Sequence, residues 1–253
     1  MNDCKKDICI EVDKLNKCYR YSVPGGKEIV YPVLHNISFS VKCGEFVGIM
    51  GKSGCGKTTL LKCVGLLHKQ DEGSIKYKNV DTKRIYGDDL SKIRRTEISI
   101  IYQDYYLLDS ISVKDNIMLP LILGEEDSRE SNKKVEKIAK KFEIEHLLNK
   151  KPYELSGGEK QRVAICRSMI MEPELILADE PTGNLDSYSS DLVIKTLVHI
   201  NKEFNKTILL VTHDPKIASF CDRIIFLKDG EIIKDLNKTM EQEQFYFEII
   251  KNI

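Results

Sequence analysis

Five apolar or small residues, Phe46-Val47-Gly48-Ile49-Met50, run directly into Gly51-Lys52-Ser53-Gly54-Cys55-Gly56-Lys57-Thr58, and this junction constrains the chain more than any other stretch. An unbroken apolar run marks a strand buried on both faces, the kind found in parallel sheets covered by helices. The eight residues after it match G-x-x-x-x-G-K-[ST], and a helix is expected from about Thr58 to Leu67. Glycines permit backbone angles that turn successive N–H groups into one concavity, and the helix behind adds its positive N-terminal end. Lys57 is placed to reach β- and γ-phosphates, and the Thr58 hydroxyl to ligate Mg²⁺. Without a ligand the segment would be only a glycine-rich turn. All four fixed positions and both flanks agree, so a nucleoside triphosphate is the predicted ligand of Gly51, Lys52, Ser53, Gly54, Cys55, Gly56, Lys57, Thr58 and Thr59.

Two further apolar runs, Leu175-Ile176-Leu177-Ala178 and Thr207-Ile208-Leu209-Leu210-Val211, read as buried strands. Buried strands separated by helices indicate an α/β fold with a parallel sheet. The first fifty residues differ. Ile8 to Leu15 and Val33 to Val41 alternate apolar and polar around a Pro24-Gly25-Gly26 turn, as in an antiparallel sheet wet on one side. From Ser112 to about Met171 the pattern is helical, with Val135, Ile138, Ala139 and Phe142 on one face. Strands are expected at Arg223–Leu227 and Glu231–Lys234 about an Asp229-Gly230 turn. The predicted architecture is a phosphate-loop NTPase core with a parallel sheet, an N-terminal antiparallel β subdomain and an inserted helical lobe. Residues 7–235 form one nucleotide-binding domain (core 7–103 and 171–235, lobe 104–170), and 236–253 a C-terminal helix.

The strand ending at Ala178 delivers Asp179 and Glu180 to its C-terminal edge, where ligands sit in open α/β sheets. Asp179 is expected to hold Mg²⁺ through water. Glu180 is expected to orient and deprotonate the attacking water, a role worth about 10²- to 10⁴-fold in rate. The segment Leu155-Ser156-Gly157-Gly158-Glu159-Lys160-Gln161-Arg162 admits two compatible readings. Ser156 and Glu159 form an S-x-x-E capping box, and a capped helix start with two glycine amides is also an anion site. The phosphate loop already serves the nucleotide of its own subunit, so a second γ-phosphate receptor makes sense if it serves a neighbouring copy.

The 253 residues carry 39 Lys plus Arg against 39 Asp plus Glu, so no global charge draws the chain to nucleic acid or an anionic membrane. Met1–Asp7 has no apolar stretch to act as a signal peptide, and no apolar run approaches the roughly 20 residues a bilayer requires. Secretion and self-insertion are not expected. The eight cysteines form no Cys-x-x-Cys pair and no zinc spacing with histidine, a pattern of free thiols in a reducing compartment.

In their order along the chain these motifs resemble the ATP-binding cassette ATPases, over roughly Ile8 to Lys234: the loop Gly51–Thr58, Gln103 after a short strand, Leu155–Arg162, Leu175–Glu180, Asn184-Leu185-Asp186 and His213. The resemblance implies that Tyr19 stacks on adenine and that Gln103 touches Mg²⁺ and senses a transport partner. It implies that Ser156, Gly157 and Gly158 close over the γ-phosphate of ATP held by the opposite subunit. Asp186 would lie in the loop that crosses the dimer interface, and His213 would contact the γ-phosphate. Lys57, Glu180 and His213 are thus the expected catalytic residues, and Thr58, Gln103 and Asp179 the metal-binding ones. Leu177–Asp186 looks like the lipoprotein-release, macrolide-efflux and cell-division cassettes. The tail Glu243–Ile250 is more similar to bacitracin-resistance members, whose permeases handle antimicrobial peptides. Departures are few: Cys55 inside the loop, Tyr102 where phenylalanine is usual before the glutamine, and Cys166 after the signature. Cys55 is expected to make the site sensitive to thiol reagents.

The implied protein is an ATPase subunit that dimerises head-to-tail around two MgATP and drives a separate integral membrane permease from the cytoplasmic face. Asp104–Gly124 is the expected docking surface, through Ile117, Leu119, Leu121 and Ile122, unless these residues simply pack the lobe. A soluble cassette acting on DNA or ribosomes, or a cell-division cassette that moves no solute, is the alternative. The DNA-directed type carries a coiled coil or zinc insert between loop and signature, and neither pattern is present, so no nucleic acid partner is expected. A GTPase would need Asn-Lys-x-Asp, and no Asn-Lys here has aspartate in the fourth place.

Overall fold

Alternating residues build the first two strands, β1 (Ile8–Ser22) and β2 (Glu28–Lys42), of a computed structural model that describes residues 8–22, 26 and 28–253. Met1–Asp7 and all but Gly26 of the expected Pro24-Gly25-Gly26 turn lie outside the described residues. The two strands pair antiparallel, and their alternation is broken at defined points. Val12 and Leu15 both face the core although three positions apart, because the register shifts between them at Lys14, whose φ is 48°. Asn36, at φ 49°, does the same between Leu34 and Ile37. Each is a bulge that inserts one residue and restores the buried face beyond it.

β3 (Phe46–Met50) has all five residues buried and leads through the phosphate loop into α1 (Lys57–Val64). That helix ends before the expected Leu67 because Gly65 caps it and Leu66 turns left-handed at φ 59°. Next come β4 (Glu72–Tyr77), β5 (Val80–Asp81), α2 (Gly87–Thr96) and β6 (Ile98–Tyr102). The helical stretch contains α3 (Val113–Ile122), α4 (Ser128–Lys141) and α5 (Gly157–Met169). The chain continues through β7 (Leu175–Asp179), α6 (Ser187–Phe204), β8 (Thr207–Thr212), α7 (Pro215–Ala218), β9 (Arg223–Lys228) and β10 (Glu231–Asn237). The last helix, α8 (Gln242–Ile250), is shorter than 236–253 because β10 runs on to Asn237.

The chain divides into two compact units, one of residues up to Leu90 with Leu209–Ile253, the other Ser91–Ile208. The first holds an antiparallel sheet ordered β2-β1-β4-β5 and a second set ordered β10-β9-β3-β8, in which β3 runs parallel to β9 and β9 antiparallel to β10. In the second unit β6 runs parallel to β7, which sets Tyr102 opposite Asp179. Thr207, at the head of β8, donates to the Glu174 carbonyl at 3.0 Å. The fold is α/β, with parallel strands, an antiparallel N-terminal sheet and a helical lobe between.

Val135, Ile138, Ala139 and Phe142 are all buried, as helical spacing requires, and burial of the valine, isoleucine and phenylalanine side chains contributes about 1.5–3 kcal/mol each. The four apolar residues expected to form a docking surface divide. Ile117 and Leu121 are completely buried and pack the lobe, Leu119 is half-buried, and Ile122 is exposed together with its neighbour Leu123. No described helix is long and apolar enough to cross a membrane.

Candidate functional site

β3 delivers the phosphate loop of the first unit. A Cβ at Gly51 would lie 2.1 Å from the Leu227 carbonyl oxygen and 2.7 Å from Cys55 Sγ, so only glycine fits there. Gly54 and Gly56 take φ of 81° and 104°, the left-handed region that glycine enters freely. Lys57, 5% exposed, opens α1 and donates its Nζ to the Gly51 carbonyl at 2.8 Å and the Lys52 carbonyl at 3.0 Å. A buried ammonium wrapped by its own loop, at the head of a helix with Thr58 exposed beside it, fits the β- and γ-phosphates of a triphosphate.

Two more expected residues belong to this unit. The Tyr19 hydroxyl lies 3.4 Å from Thr59 Oγ1 and 3.1 Å from His68 Nδ1, which ties its ring to the first turn of α1. Burial, with the charges of Lys62 and Lys17, holds His68 below the ordinary imidazole range. His213 follows β8 on an exposed turn, where the Asp214 N–H donates to Thr212 Oγ1 at 3.0 Å. His213 and residues 51–55 line a cavity of about 580 Å³, together with Lys228, Asp229 and Asn252.

Cys55 is buried, and burial pushes its thiol up despite the neighbouring Lys57. Thiolate is the reactive form, so the expected thiol sensitivity is weak at neutral pH. With iodoacetamide at pH 7, mass spectrometry should find the half-exposed Cys18 and Cys43 modified at least about tenfold faster than Cys55. Equal rates would contradict the burial.

The second unit holds the rest. β7 is buried to Ala178 and emerges at Asp179. Glu180 follows at φ 45°, in a left-handed conformation that non-glycine residues adopt at a cost of about 1–2 kcal/mol. The Gly183 N–H closes this turn onto the Glu180 carbonyl at 3.0 Å. Gln103 sits beside it: its Nε2 donates to Asn184 Oδ1 at 2.9 Å, and Asn184 Nδ2 donates to Asp104 Oδ1 at 3.2 Å. A Cβ on Gly183 would come within 2.8 Å of Gln103 Nε2, which makes that glycine part of the seat.

Ser156 caps α5 in a complete capping box, accepting from the Glu159 N–H at 3.3 Å while its own N–H donates to Glu159 Oε2 at 2.7 Å. Burial pushes the Glu159 carboxyl up, but the N–H and hydroxyl of Ser156 outweigh it and hold the group below the usual carboxylate range. Asp186 caps α6 through Ser189, accepting from its hydroxyl at 2.7 Å and its N–H at 3.0 Å, and these bonds keep the Asp186 carboxyl ionised to lower pH. The two caps are neighbours. A Cβ on Gly158 would fall 2.8 Å from Ser189 Oγ, and one on Gly157 3.1 Å from Leu185 Cδ2. Ser156 and Asp186 are both exposed.

The first unit therefore carries Tyr19, Gly51–Thr59 and His213. The second carries Gln103, Ser156–Gly158, Asp179, Glu180 and Asp186. The candidate set drawn from the sequence omitted the Asn184 amide and Ser189, which hold Gln103 and Asp186 in place, and Arg167 on α5. The Asn-Leu-Asp motif pointed at Asn184. Ser189 had a signal only as the residue three beyond an aspartate cap, and Arg167 had none.

The family model described as "ABC transporter" matches residues 34–183. The chain is 42% identical over 241 residues to "ABC transporter ATP-binding protein YxdL" of Bacillus subtilis, covering 95% of this chain and 91% of that protein. It is 40% identical over 241 residues to "Bacitracin export ATP-binding protein BceA" of Halalkalibacterium halodurans, covering 95% and 93%. Among solved structures, the ATP-binding cassette MJ0796 of Methanocaldococcus jannaschii, in a dimeric post-hydrolysis state with ADP and Pi, superimposes with a TM-score of 0.81 at 38% identity, over 92% of this chain and 100% of that one.

Proposed function

This chain belongs to the ABC transporter family as an ATP-binding subunit, and on that premise we propose that two copies close head-to-tail around two MgATP and drive a separate integral membrane permease from its cytoplasmic face. One observation carries the reading. The second unit presents a capped, glycine-headed helix and the adjoining Asp186 loop to solvent, although the chain has a complete phosphate loop elsewhere. A second anion receptor left exposed is explained by a nucleotide that another copy brings. The similarity to a dimeric cassette with ADP and Pi supports it.

In this reading the amides of residues 51–58 and the Lys57 ammonium take the β- and γ-phosphates, and Tyr19 lies against adenine. Thr58, Gln103 and Asp179 would hold Mg²⁺. Magnesium is commonly bound by one or two carboxylates plus substrate phosphates, and a hydroxyl, an amide and one carboxylate suit that mode. When bound, the ion neutralises charge on the phosphate oxygens. Glu180 takes the proton of the attacking water, and His213 steadies the γ-phosphate. Ser156, Gly157, Gly158 and Asp186 complete the site of the other copy. Closure needs contacts made only in the ATP-bound state, since a ligand shifts an equilibrium only by its differential affinity. Export of peptide antibiotics is the cargo class we favour, on the similarity to the bacitracin exporter and the resemblance of the tail.

Ser156→Arg tests the assignment. Arginine removes the cap and fills the receptor on each copy while leaving residues 51–58 unaltered. ATP affinity of the monomer should stay within about twofold, and turnover at saturating ATP should fall at least about a hundredfold, as loss of oriented contacts to the reacting phosphate predicts. Lost ATP binding by the monomer would overturn the assignment of Ser156 to the neighbour's nucleotide.

A further inference from the structure

Helix α5 carries Ser156 at its head, and further along it holds the segment around Gln103. Arg167 donates Nη1 to the Tyr106 carbonyl at 2.5 Å and Nη2 to the Tyr105 carbonyl at 2.6 Å. Both tyrosines are left-handed, with φ of 61° for Tyr105 and 47° for Tyr106. Two successive side-chain-bearing residues in that region are strained and persist only where the surroundings over-determine them. The surroundings here are mostly α5. Gln161, completely buried, sends Nε2 to the Tyr102 carbonyl at 3.4 Å. Gly157 leaves room for the Tyr105 hydroxyl, which a Cβ there would approach to 3.1 Å. The Tyr106 ring packs edge-on against Tyr102, with centroids 4.8 Å apart. Gln103 stands between the backbone carbonyls that Gln161 and Arg167 hold.

The two carbonyls lie at successive residues and accept from the two terminal nitrogens of one guanidinium, so one planar fork engages both. Guanidinium supplies that fork, and an ammonium on a flexible stem does not. We propose that Arg167 is a positioning residue, whose fork clamps the strained Tyr105–Tyr106 pair and so fixes Gln103 in register with Ser156 at the head of the same helix. The consequence for turnover rests on the roles proposed above for Gln103 and Ser156; the clamp itself rests on geometry alone. With the clamp in place, a displacement of Gln103 and one of the receptor at Ser156 are one motion. Without it, they separate.

Amide hydrogen exchange and ATP kinetics on the full chain test this with Arg167→Ala, Arg167→Lys, Tyr106→Gly and the double variant Arg167→Ala/Tyr106→Gly. Exchange of peptides spanning 103–108 should rise at least about tenfold in both arginine variants, while peptides spanning 51–58 stay as in the parent. The kcat for ATP should fall about tenfold with ATP affinity unchanged, since misplacement rather than lost binding is the defect. Glycine takes the left-handed angle without strain, so Tyr106→Gly alone should alter kcat less than about twofold. In the double variant it should bring kcat back to within about threefold of the parent. Unchanged exchange at 103–108 in a folded Arg167→Ala or Arg167→Lys would overturn the clamp. So would an equal kcat loss with and without Tyr106→Gly, which is what a merely structural arginine gives. Should Arg167→Ala not fold, Arg167→Lys with and without Tyr106→Gly decides the same question. A parent chain that never turns over ATP would sink the functional reading and still leave exchange to judge the clamp.

Discussion

Glu180→Gln should retain ATP, lose hydrolysis by about 10²- to 10⁴-fold, and accumulate as a MgATP-dependent dimer. The carboxylate stands one residue past the end of β7, on a turn that the Gly183 N–H closes back onto its carbonyl. Glutamine matches glutamate in size, and the backbone bond that closes the turn involves no side-chain atom. The φ of 45° is as strained for one as for the other, so the fold and the turn survive. On the role proposed for Glu180, only the base is removed. The phosphate loop is in the other unit and keeps its lysine and amides, so binding should persist while the γ-phosphate that would link the two copies of the proposed dimer is no longer cleaved. Sedimentation with and without MgATP, alongside phosphate release, checks both halves. A variant that stays monomeric at high ATP and protein concentration would count against the head-to-tail dimer, and a kcat within about threefold of the parent would remove Glu180 from catalysis.

The parts of this site that could be read from residue order are those encoded locally. The phosphate loop needs glycine at set positions, and glycine is visible. The box at Ser156 and Glu159 needs only two side chains three residues apart, and the structure forms both of its bonds. The bulges were partly legible: Asn36 tolerates a left-handed angle and invites one, whereas Lys14 at φ 48° gives no warning. The docking set failed at Ile117 and Leu121 for a related reason. An apolar residue on a helix looks the same whether it faces solvent or a neighbour, and only the packing of α3 against α5 decides. Arg167 was illegible for the strongest reason. Its partners are backbone carbonyls 61 and 62 residues away, held at angles tyrosine does not prefer. Long-range support of a strained loop has no residue signature, and such loops tend to lie at functional sites.

Gly51→Ala should lower both the stability of the first unit and its affinity for ATP. Gly51 owes its identity to space, since its neighbours Gly54 and Gly56 are the ones at positive φ. The Leu227 carbonyl that the new Cβ would meet at 2.1 Å is backbone. It belongs to β9, whose preceding residue Phe226 is paired with Met50 in the parallel ladder, so it cannot retreat without pulling β3 and β9 apart. Cys55 Sγ, at 2.7 Å, closes the other side. Overpacking of a well-filled site costs about 1–3 kcal/mol even where side chains can shift, and at this chain length each kcal/mol lowers the melting midpoint by about 2–4 °C. If relief comes by lifting the loop, Lys57 moves off the Gly51 and Lys52 carbonyls, and ATP affinity falls by about tenfold for each 1.4 kcal/mol lost. Gly54→Ala is the matched comparison, because its Cβ meets nothing within 4 Å and its only cost is the left-handed angle. Calorimetry and ATP titration of the two variants should therefore rank Gly51→Ala well below Gly54→Ala in both stability and affinity. The reverse order would mean that backbone angle, and not the approach of β9, is what keeps glycine at the mouth of the phosphate loop.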